Sequence, residues 1–168
     1  FVWVGTIDGQ PLSQVVIAVV GGEVTGSITM PGRTYDIQPA GGGLHAVREI
    51  DDRLMLGDGE IEVRDASVPA VPATPPVDAA DDASFVDVLV LYTTQVREKR
   101  GSENAALSMV DGAVAEANQA YQNSGIAQRL RLVGAREVSY TDAADLSADL
   151  AALRGTSDGK MDDIHAVR

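Results

Sequence analysis

The sequence predicts an α+β chain: an antiparallel β-meander at the front, then an incomplete α/β unit of the form βαβ-α. Three observations carry that expectation. Extended runs of five to eight residues, each closed by Gly, Pro or Asp, recur through residues 1–62. A stretch rich in Pro, Ala and Asp follows at 63–84, and residues 85–140 then read as strand, long helix and second strand. Alternating β-branched runs bounded by turn residues are the mark of hairpins, and a strand, helix, strand order is the mark of a parallel crossover.

In the front module FVWVGTI is closed by Asp8-Gly9, QVVIAVV by Gly21-Gly22, EVTGSITM by Pro31-Gly32 and RTYDIQ by Pro39 and three glycines, before LHAVREI. Those closing residues supply the backbone conformations that tight turns require. Alternation assigns Val15, Ile17, Val19, Val24, Gly26, Ile28, Met30, Tyr35 and Ile37 to the buried face. Thr25, Ser27 and Thr29 are then expected on the solvent face. The segment 63–84 holds prolines 69, 72, 75 and 76 and no bulky apolar residue except valine. Proline removes backbone donors, so the segment is expected to be a linker open to proteolysis.

The second module, 85–168, opens with VDVLVLYT, nearly all apolar, as a strand covered on both faces would be. TTQVREKRG is read as a polar, basic connection. Ser102 is the expected N-cap of a helix with Glu103 in its first turn, an apolar stripe through Leu107, Val110, Val114, Ala117 and Tyr121, and Gly125 supplying the left-handed stop. Gly112 inside that helix is expected to permit close approach of a neighbour. QRLRLVGAREVSY is the second strand. A shorter helix is expected to start at Thr141-Asp142, carry Leu146, Leu150 and Leu153 on one side and stop at Gly155; MDDIHAVR then begins a further helical pattern. Two parallel strands cannot cover both their faces, so the expectation is the front part of a larger fold.

Composition narrows the function. A formal net charge of -12 argues against nucleic acid or an anionic membrane bound through a general field. The front half is the acidic one, with 4 basic and 13 acidic groups in residues 1–84 against 9 and 12 in 85–168. Zero cysteines rule out disulfides, thiolate chemistry and Cys-ligated metals. No apolar run approaches the roughly 20 residues of a membrane span.

Catalytic constellations are sparse. His45 and His165 are the two histidines, and neither belongs to an H-E-x-x-H pair. His165 is expected on a helix surface or partnering Asp162, and His45 on a strand beside a Gly-rich loop. Asp51-Asp52 and residues 78–82 lack calcium-loop spacing, and Gly41 to Gly43 lack the Lys and Ser/Thr of a phosphate loop. Ser102 and Ser124 read as helix ends, since neither sits in G-x-S-x-G. The D-x-S-x-S pattern of a von Willebrand A type domain does not follow the strand of Asp87.

Asp87 to Thr93, the helix end Ala117-Asn118-Gln119-Ala120-Tyr121-Gln122-Asn123-Ser124-Gly125-Ile126, and Leu130 to Val133 running on to Tyr140 together resemble the start of bacterial reprolysin-like (M12-type) metzincin zinc metallopeptidases. Trp3-Val4-Gly5, Gly26-Ser27-Ile28, Tyr35 to Pro39 and Leu44 to Asp51 resemble the β-rich propeptide that precedes such catalytic domains. The resemblance implies three parts: a propeptide-like domain 1–62, a linker 63–84 where maturation cuts, and the N-terminal portion of a metzincin-like upper subdomain at 85–168. It implies a secreted or extracytoplasmic zymogen whose parent hydrolyses peptide or protein substrates with zinc-activated water. The family's H-E-x-x-H-x-x-G-x-x-H is not in this chain, so no catalytic or metal residue carries over, no cofactor is expected in this fragment, and the fragment is expected to be inactive without the rest of the catalytic domain. With no cysteine to silence zinc, latency is expected from bulk, with His45 or Asp36 as the candidate inhibitory ligands. The competing readings are a non-enzymatic surface adhesion or binding module and an intact small binding protein.

Overall fold

The computed structural model describes residues 1–51 and 85–167. The expected boundary at 62 and the linker 63–84 lie outside the described residues, as does Asp52. The front module is a five-stranded antiparallel meander, β1 (Val2–Ile7), β2 (Gln10–Val20), β3 (Glu23–Met30), β4 (Arg33–Gly41) and β5 (Leu44–Ile50), in sheet order β1-β2-β3-β4-β5. The turns fall where the sequence marks them. Gly21 and Gly22 both have positive φ, 56° and 88°, so a two-residue turn joins Val20 to Glu23 with the twist a hairpin needs. The register between β1 and β2 shifts between Gly5 and Ile7. There the Ser13 hydroxyl accepts from the Ile7 N–H at 2.7 Å and donates to the Gln10 carbonyl at 2.7 Å, satisfying groups that the irregular ladder leaves.

The second module places β6 (Phe85–Thr93) parallel to β7 (Arg129–Val138), joined through α1 (Thr94–Arg100) and α2 (Glu103–Asn123); α3 (Leu146–Arg154) and a short 3-10 segment (Asp162–Val167) follow. The strand, helix, strand reading therefore holds. The basic stretch read as a connection is instead helical. Thr93 caps α1 by accepting from the Val96 N–H, Arg97, Lys99 and Arg100 sit in its last turn, and Gly101 closes it at φ 93°. Ser102 caps α2 through the Ala105 N–H, as expected. At the other end Gly125, at φ 69°, donates to the Gln122 carbonyl while Ile126 donates to that of Tyr121, the paired bonds of a Schellman stop. The later helix is shorter than expected: Asp145, not Thr141, is its N-cap, and Gly155 follows in extended conformation. Its leucines are the exposed residues, with Leu146 at 68%, while Ala152 is fully buried. Ala152 packs with Val138, Met161 and Ile164, flanked by Leu91 and Tyr140.

The largest departure is which face of the meander is covered. Cross-strand pairs align Val16 with Ser27 and Ala18 with Thr25, and those four residues face α2. Val16 and Ala18 are fully buried and Thr25 nearly so; on the expected core face Val15 and Gly26 are buried as expected, whereas Ile17, Val19, Val24, Ile28, Met30, Tyr35 and Ile37 remain only half-buried, and Thr29 is exposed as expected. A helix lies closest to a sheet where side chains are small, and that contact outweighs the hydrophobicity of the other face. On that open face the Trp3 ring folds over Gly5, where a Cβ would stand 2.5 Å from ring carbons.

Candidate functional site

Two places in the structure bring chemistry-bearing groups together. The first is the seat of the meander on α2. Ser108, Gly112 and Glu116 recur every four residues and form one row along the helix. Ser108 donates to the Ala105 carbonyl at 3.0 Å, which leaves its oxygen to accept from Thr25 at 2.7 Å. Ser27 donates to the Glu116 carboxylate, Asn123 donates to the Gln14 side-chain oxygen at 3.2 Å, and the Asn104 amide packs on the turn at Gly21. A Cβ on Gly112 would lie 3.8 Å from that of Ala18, so the helix comes as close as a methyl group permits and no closer. A cavity of about 330 Å3 runs beside this seat, lined by Ser27, Asp36, Arg100 and Glu116 among others. Arg100 Nη1 is buried there with no hydrogen-bond partner among the described residues. The sequence reading missed Arg100, and the one available signal was its place just before Gly101.

The opposite side of α2 faces β7. Asn118 donates to the Leu130 carbonyl at 2.9 Å and accepts from the Leu130 N–H at 2.7 Å, pinning the strand's start as an added strand would. At the strand's far end Glu137 accepts from Thr94 at 2.7 Å and from Arg97 Nε at 3.0 Å, locking α1 to β7. The Thr94 hydroxyl and then the Arg97 guanidinium hold the Glu137 carboxyl below its usual range. Burial, with Glu103 and Glu137 nearby, pushes the Tyr92 hydroxyl up.

The second place is the face of β6 onto which Asp87, Leu89 and Leu91 alternate. With Val133, Leu153 and Ile164 they line a largely apolar cavity of about 820 Å3. Val133 is the extra residue where the β6–β7 register shifts between Val88 and Leu89. His165 borders the same cavity, half-buried, with its Nε2 buried and without a hydrogen-bond partner among the described residues. It is not the partner of Asp162, whose oxygens take the N–H groups of Asp158 and Gly159. Asp87 is paired with Arg131 at 2.6 and 2.8 Å, a bond that lowers its pKa. Beside the Val138 cluster, Tyr140 donates to Asp149 at 2.7 Å, which pushes the phenol up to about 12.

The two candidate inhibitory residues do not meet. His45 Nε2 accepts from the Val24 N–H at 3.0 Å, beyond the last β3–β4 pair Gly26↔Ile37. Asp36 accepts from Gln38 at 2.6 Å and Arg48 at 2.8 Å. His45 pairs with Pro39 and Asp36 with Arg48, so alternation puts them on opposite faces of the sheet. Among the described residues no three His, Cys, Asp or Glu side chains gather as a metal would require. No helix among the described residues is long and apolar enough to cross a membrane.

The fold is a meander seated on the helix of a parallel βαβ unit, and its class, a metallopeptidase, comes from comparison with known proteins. The family model for the metallopeptidase family M12B, reprolysin-like, matches residues 83–168, and the chain belongs to that family. It is 34% identical over 171 residues to a protein of Stenotrophomonas maltophilia (strain R551-3) named peptidyl-Asp metalloendopeptidase, and 33% identical over 168 residues to one of the same name from Xanthomonas campestris pv. campestris. Each match takes in 97% of this chain and 40% of the relative, so the chain spans about two fifths of the length of those proteins. No solved structure matches it.

Proposed function

We propose that this chain is the front of an exported, zinc-dependent endopeptidase precursor, with residues 1–62 as propeptide, 63–84 as the connecting linker and 85–168 as the opening of a metzincin catalytic domain. The carrying observation is the pairing of two coverages. The relatives match 97% of this chain, meander included, while the family model takes only residues 83–168. In the parent, zinc would activate the water that attacks the peptide bond, and its ligands would come from the remainder of the protein. The name shared by the relatives supports a substrate class of peptides containing Asp.

This chain's own part is structural. α2 carries the meander on one face and β7 on the other, so the propeptide grips the scaffold helix and not a metal. Latency then comes from bulk, and the meander assists folding by holding α2 in place. His45 and Asp36 are already committed to Val24, Gln38 and Arg48.

The test uses the full-length precursor and its purified mature form. Zinc content near one per molecule, loss of peptide hydrolysis on chelation, and preference for an Asp-containing peptide over its Asn counterpart are the expected results. A stable mature protein without zinc or peptidase activity would overturn the reading. His45→Ala and Asp36→Asn precursors are expected to stay as latent as the parent; activation by either substitution would restore the ligand mechanism.

A further inference from the structure

We infer that the wedge between the meander and α2 is a binding site for a small α-amino acid in its zwitterionic form, with the carboxylate held by Arg100 and the ammonium by Glu116. The cavity of about 330 Å3 beside the seat lies at the lower end of the sizes that hold small ligands. Its walls come from both modules: Thr29, Thr34 and Asp36 from β3 and β4, Arg100 from the last turn of α1, and Glu116 from α2.

Arg100 carries the inference. Its Nη1 is buried at this cavity with no hydrogen-bond partner, and the guanidinium makes no ion pair, among the described residues. By contrast Arg33, Arg48, Arg97, Arg131 and Arg136 each pair with a carboxylate. A guanidinium taken out of water and left unpaired is costly, and its planar fork of N–H donors is matched best by a carboxylate, which accepts two parallel bonds.

The remaining lining selects among carboxylates. Asp36 is already engaged, since Gln38 and Arg48 both donate to its Oδ2. Glu116 is half engaged: Ser27 donates to Oε1, and Oε2 has no bond among the described residues. With Arg100 set against Asp36 and Glu116 the lining is net negative, so a dianion such as phosphate is repelled. A carboxylate with a positive group beside it meets both needs, pairing Arg100 and giving Glu116 Oε2 a donor. Thr29 and Thr34, opposed in the β3–β4 ladder, add hydroxyls at the same wall. Because the walls come from both modules, the ligand binds the seated meander and stabilises it by mass action.

The experiment titrates the full chain with glycine and, separately, with acetate, methylammonium and phosphate, measuring the heat of binding and the urea midpoint of Trp3 emission. Glycine is expected to bind saturably and raise the midpoint. Acetate, which lacks the bond to Glu116, is expected to bind about tenfold more weakly, and methylammonium and phosphate not at all. Arg100→Gln is expected to abolish glycine binding while its ligand-free midpoint is no lower than that of the parent, because a buried unpaired charge has been removed. Arg100→Lys keeps the charge without the fork and is expected to weaken glycine about tenfold, which decides the matter should the Gln variant not fold. Glu116→Gln is expected to erase the preference for glycine over acetate. Glycine binding that persists in Arg100→Gln, a midpoint that rises with glycine without saturating, or tighter binding of phosphate than of glycine would overturn the inference. So would a folded parent chain that binds no glycine, which would leave Arg100 to water alone.

Discussion

The seat of the meander on α2 and the cluster between the βαβ strands and α3 are held by opposite kinds of contact. On the βαβ side the packing is apolar and concentrated: Val138, Ala152, Met161 and Ile164 form one cluster with Leu91 and Tyr140 against it. On the meander side small residues and hydroxyls make the seat, and the large side chains stay outside it, Trp3 at 44% exposure among them. One side resembles a domain core, and the other resembles a separable interface. Energy spread over hydroxyl pairs and close backbone approach is easily lost to a single enlarged side chain, whereas an apolar cluster loses it gradually. Trp3 is the sole tryptophan, so its emission reports on the meander while helix dichroism reports mainly on α2.

The most forceful way to break the contrast is Gly112→Leu. A Cβ at Gly112 already touches that of Ala18 at 3.8 Å, so the larger side chain must push the helix off the sheet or turn into the neighbouring cavity and displace the polar groups there, and it should destabilise the seat by about 2 kcal/mol, read as an earlier urea transition of Trp3 emission. Ser108→Ala comes next. It strands the Thr25 hydroxyl and should cost about 2 kcal/mol, part of which Thr25→Val restores in the double variant. Ser102→Ala removes the α2 cap and should cost about 1 kcal/mol, visible in helix dichroism before Trp3 emission. Gly112→Ala sharpens the first result by reversing its sign: a single methyl makes ordinary contact, and better helix propensity should add somewhat less than about 1 kcal/mol.

The smallest effect is acid release of the clasp between α1 and β7. Glu137 has a folded pKa below its ordinary value of 4.5, so its contribution is complete above pH 4.5 and is lost as pH falls through the lowered value. The α1 signals should loosen in that window, and Glu137→Gln should remove the pH dependence. Loosening at higher pH would assign the effect to another group.

The same contrast explains how much is legible in the sequence. Strand ends are marked by turn residues whose chemistry is local, and so are the Ser102 cap and the stop at Gly125. The covered face of the meander is not legible, because periodicity separates two faces without saying which one a distant helix will choose. Here α2 chose Ala18, Thr25 and Ser27 over Ile17 and Ile28. The same limit applies to α3, whose leucine stripe is visible but whose buried contact is Ala152. α1 lacks an apolar stripe, yet Thr93, the basic last turn and Gly101 spell out its two ends. His45 reads as a strand residue near a glycine loop, and that is where it lies, although its bond to Val24 depends on a strand pairing that no local pattern reveals.

The parallel pairing of β6 with β7 has a kinetic consequence. Asp87 and Arg131 are ladder partners 44 positions apart, whereas Val20 and Glu23, or Met30 and Arg33, close their hairpins across two residues. Loop-closure entropy and contact order both favour the meander as the earlier event. When α2 first forms, a finished sheet is already present to receive its Ser108 row. The slow step, threading β7 beside β6, then begins from a docked helix and searches a much smaller space.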